Sequence, residues 1–250
     1  MTITYSLADQ VAVVTGGAGG IGSVIARRLA DASARVVITD LNEARAQEVA
    51  AGLPGAGHLG VAAAVDDSAA LKGLAERIAQ QYGRLDLLVN CAGITRPVAH
   101  DDLDGLDDEL IDAIFRVNWR GAFACVRALR PLLAGGAGGL IVNISSIAAI
   151  TGIGSNVAYC ASKAALNAMT LSLARALAPA IRVVSVSPGW VEGEYAKRMD
   201  PANLEVQRQK TPLHRMAQAE DVAEAVLAVA TSLRFSTGCI IPVDGGRPLN

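Results

Sequence analysis

Val11-Ala12-Val13-Val14-Thr15-Gly16-Gly17-Ala18-Gly19-Gly20-Ile21-Gly22 is the stretch on which the reading of the fold turns. Its first five residues form a short apolar run of the kind found in a strand buried on both faces. A glycine-rich turn follows, and the pattern then predicts a helix from Ser23 to Ala32. Strand, glycine turn and helix in that order make a phosphate cradle: the backbone can approach an anion closely, and the helix N-terminus offers it free N–H groups. Gly16, Gly20, Ile21 and Gly22 are the candidate contacts.

Outward from this unit the alternation repeats. A second strand, Arg35 to Thr39, ends in Asp40, eighteen residues after Gly22. An acidic residue there can bind the adenosine ribose hydroxyls and repel a 2′-phosphate, which favours NAD over NADP. Neither Leu41, which would lie beside the adenosine, nor Asn42 is basic, and Gly17 is not basic either. The other role open to Asp40 is to cap the helix that starts near Asn42. Further on, a strand near Gly60 to Val65 ends in Asp66, a helix runs from about Ser68 to Tyr82, and Leu85 to Val89 leads into Asn90-Cys91-Ala92-Gly93. A long helix is expected from about Asp107 to Leu133, with Asn118 near its middle, and the strand Leu140 to Ile144 delivers Ser145 and Ser146 at its C-terminal end. The helix holding Tyr159 should run to about Ala178, the strand Ile181 to Val186 should end at Pro188-Gly189, and a helix from about Ala219 to Thr231 and a strand from Cys239 to Val243 close the chain. Such alternation implies an α/β fold, a Rossmann-type doubly wound parallel sheet with helices on both faces. Residues 1–250 read as one domain, with mobile helices or a substrate lid at about 190–212.

Tyr159-Cys160-Ala161-Ser162-Lys163 carries the chemistry, with Ser146 thirteen residues upstream of the tyrosine. On a helix, Tyr159 and Lys163 stack on one face. A free phenol titrates near pH 10, and a fixed cation beside it favours the phenolate, which makes Tyr159 a candidate general acid/base.

Composition excludes other classes. With a net charge of -2 and no basic run, neither nucleic acid nor an anionic membrane is favoured as partner. The four cysteines, Cys91, Cys125, Cys160 and Cys239, form no C-x-x-C pair and the three histidines are scattered, so no metal site is expected. Free thiols, and an N-terminus without a signal-peptide pattern, point to the cytoplasm. The uncharged span from Pro131 to Ser162 contains six glycines and two asparagines, which suits a sheet core better than a membrane helix.

Together these residues resemble the short-chain dehydrogenase/reductase superfamily, in its compact branch of about this length. The motifs are Thr15-Gly16-x-x-x-Gly20-x-Gly22, Asn90-x-Ala92-Gly93, Asn118, Ser146, Tyr159-x-x-x-Lys163 and Pro188-Gly189. The resemblance implies a sheet of about seven strands and hydride transfer between a nicotinamide cofactor and a carbinol or carbonyl carbon. It implies that Tyr159 exchanges a proton with the substrate oxygen, that Lys163 assists it and binds the nicotinamide ribose, that Ser146 holds the substrate oxygen, and that Asn118 helps hold a water chain from Lys163 to solvent. Asp66 would lie near the adenine, Asn90, Ala92 and Gly93 along the adenosine half, and Pro188, Gly189 and Val191 along the nicotinamide. Gly193 stands where the family often has threonine, and Val184 where it often has asparagine.

The expected activity is that of an NAD-dependent dehydrogenase of a secondary alcohol, polyol or ketone, with Thr95, Ala148, Trp190 and Tyr195 in the substrate wall. One competing reading is a 3-oxoacyl-acyl-carrier-protein reductase using NADPH, which the uncharged Gly135 to Gly139 loop and Asp40 disfavour. Another is a dinucleotide sensor without catalysis, disfavoured because Ser146, Tyr159 and Lys163 are all present. The resemblance further implies a homo-oligomer, a dimer or homotetramer, in which Ala161, Ala164, Ala165 and Ala168 permit close helix packing.

Overall fold

A computed structural model describes residues 5–136, 138–193 and 201–249. Seven strands, β1 Val11–Thr15, β2 Arg35–Asp40, β3 Leu59–Ala62, β4 Leu87–Asn90, β5 Gly139–Ile144, β6 Ile181–Pro188 and β7 Ile240–Val243, form one sheet in the order β3-β2-β1-β4-β5-β6-β7. All six pairings are parallel. The helices are α1 Gly20–Asp31, α2 Glu43–Ala51, α3 Ser68–Tyr82, α4 Asp108–Phe115, α5 Ala122–Ala134, α6 Ala148–Thr151, α7 Val157–Leu177, α8 Pro201–Gln209 and α9 Ala219–Thr231.

The inner strands are apolar on both sides because both faces are covered. In β1, Ala12 and Val14 join a core with Ile25, Leu29 and Val226, while Val11 and Val13 join a second core with Leu71, Ile78, Leu129 and Leu133. The strand order reverses between β1 and β4, which opens a crevice at the carboxyl ends of those strands, where open α/β sheets bind ligands. No helix among the described residues is long and apolar enough to cross a membrane.

Several boundaries differ from the sequence reading for identifiable reasons. Helix α1 begins at Gly20 rather than Ser23, so the end of the glycine run is the helix's own first turn, with Gly19 as its N-cap. Strand β3 stops at Ala62 because the chain turns away there, closed by Asp67 N–H donating to the Ala64 carbonyl (3.1 Å), and Asp67 then caps α3. Strand β4 starts at Leu87, and the preceding Asp86 uses its carboxylate to accept from Val11 N–H (2.8 Å) and to pair with Arg84. The expected long helix is a rod in three parts: α4 and α5 are joined by one wide turn of π-helix, Arg116–Gly121, which contains Asn118.

Candidate active site

The start of α7 is fixed by Asn156. Its side-chain oxygen accepts from Tyr159 N–H (2.7 Å), while its amide donates to the carbonyl of Arg96 (2.7 Å) and to Thr95 Oγ1 (3.3 Å). Thr95 Oγ1 also touches Ser155 Oγ, so the loop after β4 is tied to the segment that sets the height of Tyr159. Asn156 was not singled out from sequence, although an asparagine three residues before the tyrosine is an ordinary helix-start signal.

One helical turn on, Lys163 lies on the same face, its Nζ 5.8 Å from the centroid of the Tyr159 ring. The lysine is 6% exposed and donates to the Ile144 carbonyl (2.8 Å). It has no salt bridge among the described residues, and burial lowers its pKa to about 8, opposed only in part by the nearby Cys91. Burial in turn raises Cys91 to about 11, with Lys163 opposing that shift.

Asn118 closes the far side. Its carboxamide donates to the Ile94 carbonyl and to Ser162 Oγ (both 3.1 Å), and its oxygen accepts from Ile94 N–H (2.8 Å). Both amide hydrogens are therefore committed within the protein, which leaves one lone pair on the oxygen for a water. Gly93 lies directly against this pair: a Cβ there would be 3.3 Å from Asn118 Oδ1 and 3.7 Å from Lys163 Nζ.

Ser146 follows the end of β5 by two residues, and its Oγ accepts from Ala148 N–H (3.2 Å), which leaves its own hydrogen to donate elsewhere. Ile147 N–H donates to the Pro188 carbonyl (2.9 Å) and Gly189 N–H to the Val243 carbonyl (2.9 Å), so the ends of β5, β6 and β7 meet beside the serine. Val191 continues this edge in a bridge to Ala217.

At the crevice, the glycine turn is packed on one side and open on the other. Gly16 has φ +62°, and a Cβ there would lie 2.9 Å from Ala92 Cα; one on Gly22 would lie 2.3 Å from the Gly16 carbonyl oxygen; one on Gly20 would meet nothing within 4 Å. Thr15 Oγ1 accepts from the N–H groups of Cys91 and Ala92 (3.1 Å each) and holds the second turn against the first. This cradle fits the pyrophosphate of a dinucleotide. Gly22→Ala is expected to cost about 1–3 kcal/mol through overpacking, measured by denaturant unfolding, and to weaken dinucleotide binding in the same sample.

Asp40 accepts from Ala18 N–H (3.2 Å) and from Leu41 N–H (2.8 Å) at the end of β2. It does not cap α2: Asn42 does, accepting from Arg45 N–H (3.1 Å). The Leu41 side chain is largely exposed. Ile21 is half-buried and packs on the core beneath the turn. Asp66 is ion-paired with Arg116 (3.1 Å).

The Asn90 side chain is buried at 3% exposure and donates to Asn143 Oδ1 (2.9 Å), which belongs to a buried polar chain running on to Thr170. Ala148 is buried, its Cβ 3.0 Å from where a Cβ on Gly154 would lie. Trp190 is half-buried, with its carbonyl accepting from Ala217 N–H (2.8 Å). Tyr195 lies outside the described residues, as does 194–200 of the expected lid; the rest of that segment includes α8. Among the described residues no cluster of His, Cys, Asp or Glu could hold a metal.

Comparisons with known proteins agree with this architecture. The family profile described as enoyl-(acyl carrier protein) reductase matches residues 16–247. A protein of Streptomyces violaceoruber, designated ketoacyl reductase 2 of the granaticin polyketide synthase, is 40% identical over 245 residues, covering 96% of each chain. The cis-4-hydroxycyclohexanecarboxylate dehydrogenase of Sinomonas cyclohexanicum is 38% identical over 246 residues, covering 96% of this chain and 97% of its own. The crystal structure of a Brucella melitensis short-chain dehydrogenase/reductase, titled glucose/ribitol dehydrogenase, superposes with a TM-score of 0.91 at 28% identity, covering 98% of this chain and 99% of the other.

Proposed function

Because the chain belongs to the short-chain dehydrogenase/reductase superfamily of oxidoreductases, we propose that it is an NAD(H)-dependent enzyme that interconverts a secondary alcohol or polyol with the corresponding ketone. The observation that carries this reading is the buried cation of Lys163 on the Tyr159 face of α7. A bound dinucleotide would supply or accept the hydride at the substrate carbon. Gly16, Gly20, Gly22, Ala92 and Gly93 would hold its phosphates and adenosine side, Asp40 its ribose hydroxyls, and Pro188, Gly189 and Val191 its nicotinamide.

The protein's own part is proton handling and placement. In alcohol oxidation the phenolic oxygen of Tyr159 takes the hydroxyl proton while the carbon–hydrogen bond breaks; in ketone reduction it returns that proton. Lys163 stabilises negative charge on that oxygen. Ser146, with its hydrogen free to donate, fixes the substrate oxygen, and orientation of this kind is a major source of rate. Asn118 holds the loop at Ile94 against α7 and offers one lone pair to a water leading from Lys163. The 190–212 segment would close over the substrate, with Thr95 and Trp190 contributing to its wall. The chain would act as a homo-oligomer.

The test is the initial rate at 340 nm with a panel of secondary alcohols, polyols and oxoacyl thioesters, each with NAD(H) and with NADP(H). Turnover of an alcohol with NAD supports the proposal. The name of the S. violaceoruber relative favours one second reading, reduction of an oxoacyl thioester, and turnover of that class with NADPH would establish it instead.

A further inference from the structure

We propose that Arg45 is a second determinant of cofactor choice: its guanidinium, set opposite Asp40 across Ala18, is the cation that meets a 2′-phosphate and so makes the preference for NAD over NADP shallow. This rests on the reading that a nicotinamide dinucleotide lies over the glycine turn.

The sequence places no basic residue directly after Asp40, and by that count the adenosine pocket has only a negative charge. Folding of α2 changes this. Asn42 caps the helix and fixes its first turn, and from that turn Arg45 reaches back to donate through Nη2 to the Ala18 carbonyl (3.0 Å). The N–H of the same residue is held by Asp40 Oδ2 (3.2 Å). An acid and a base thus grip the two polar groups of one peptide residue of the turn, and among the described residues neither Asp40 nor Arg45 is in an ion pair. Since an acid at the end of β2 addresses the ribose hydroxyls, the guanidinium that shares Ala18 with it lies at the same end of the ligand.

The neighbouring cations are otherwise engaged. Ala18 and Arg45 border a groove of about 620 Å³ between α1, α2 and α9, together with Arg27 and Arg28. Arg28 is paired with Glu224 (2.5 Å), and Arg27 donates to the Gly52 carbonyl (3.1 Å). The Arg45 guanidinium commits one of its five N–H donors to the Ala18 carbonyl among the described residues, and its side chain is exposed, so its planar fork is available to a phosphate that enters beside Asp40.

The test is equilibrium titration with NADH and NADPH, followed by nicotinamide fluorescence, which needs no substrate. Four proteins are compared: wild type, Arg45→Gln, Asp40→Ser and the double variant. The expected result is that Arg45→Gln weakens NADPH about tenfold and NADH less than twofold, the scale of one charge-assisted contact. The same selective loss should appear in the Asp40→Ser background, where NADPH is bound tightly enough to measure even if the wild type holds it weakly. Equal weakening of both dinucleotides would mean that Arg45 only braces the turn, and no change for NADPH in either background would also overturn the proposal. Failure of the wild type to bind either dinucleotide would defeat the proposed function itself, a different result from a lost selectivity.

Discussion

Tyr159→Phe is expected to lower kcat roughly 10³-fold while changing NADH affinity less than twofold. Positioned proton transfer contributes about 10²–10⁴-fold, and removing only the hydroxyl deletes that contribution while leaving the ring in its place on α7. The backbone N–H of residue 159 would still be held by Asn156 (2.7 Å) and Lys163 would keep its bond to the Ile144 carbonyl, so the helix start should not move. Single-turnover rates set beside fluorescence titration separate the two quantities. A variant that kept a tenth or more of the wild-type rate would remove Tyr159 from the proton path and leave the proposed mechanism without its acid/base.

Lys163→Met is expected to abolish most of the activity and to make the protein more stable at pH 7. The ammonium is held in a buried site where its pKa falls from 10.5 to about 8. At 1.36 kcal/mol per unit, keeping the charged form there costs about 3 kcal/mol. Replacing it by an apolar side chain of similar length removes that cost and leaves the Ile144 carbonyl unpaired, a loss of about 1 kcal/mol, for a net gain of about 2 kcal/mol.

The sign follows from proton counting. Below pH 8 the lysine is charged in both the folded and unfolded chain, and the burial cost is present in full. Between pH 8 and 10.5 the unfolded chain binds more protons at this site than the folded one, so this residue's contribution makes stability rise with pH. The advantage of Lys163→Met over wild type should therefore be largest below pH 8 and shrink through that window. Denaturant midpoints at pH 7 and pH 10 check it. A variant less stable than wild type at pH 7 would show that the lysine is a structural asset, and a variant with near-normal turnover would remove it from the chemistry.

The sheet was legible in the sequence because each strand is a compact apolar run between turn signals, and a strand covered on both faces has no reason to alternate. The approximate bounds read for α3 and α9 agree with the structure because their ends carry local signals, with Asp67 capping one and Gln218 pairing reciprocally with Asp221 at the start of the other. Tyr159 and Lys163 were legible as a pair because their relation is a helix spacing. The unforeseen features depend on where separate segments meet. Arg45 reaches Ala18 only because α2 packs beside the glycine turn, and Lys163 finds the Ile144 carbonyl only because α7 lies against β5. The Asn90 side chain turned inward because Asn143 stands beside it on the neighbouring strand, a register that the motif alone does not contain.

The wide turn at Arg116–Gly121 bears on how the rod keeps its bearings. Ile114 and Leu133, both fully buried, are nineteen residues apart, and at 100° per residue a regular α-helix would rotate one about 100° away from the other. A π turn absorbs one additional residue, so the flanks keep the phase of an eighteen-residue spacing and both side chains return to the same bearing. The rod thus contains one residue more than its packing phase requires. That surplus lies in the turn where Asn118 leaves the ordinary helical pattern to grip Ile94 and Ser162, so a one-residue deletion there is expected to preserve the helix's grip on the core while erasing the wide turn that aims the asparagine.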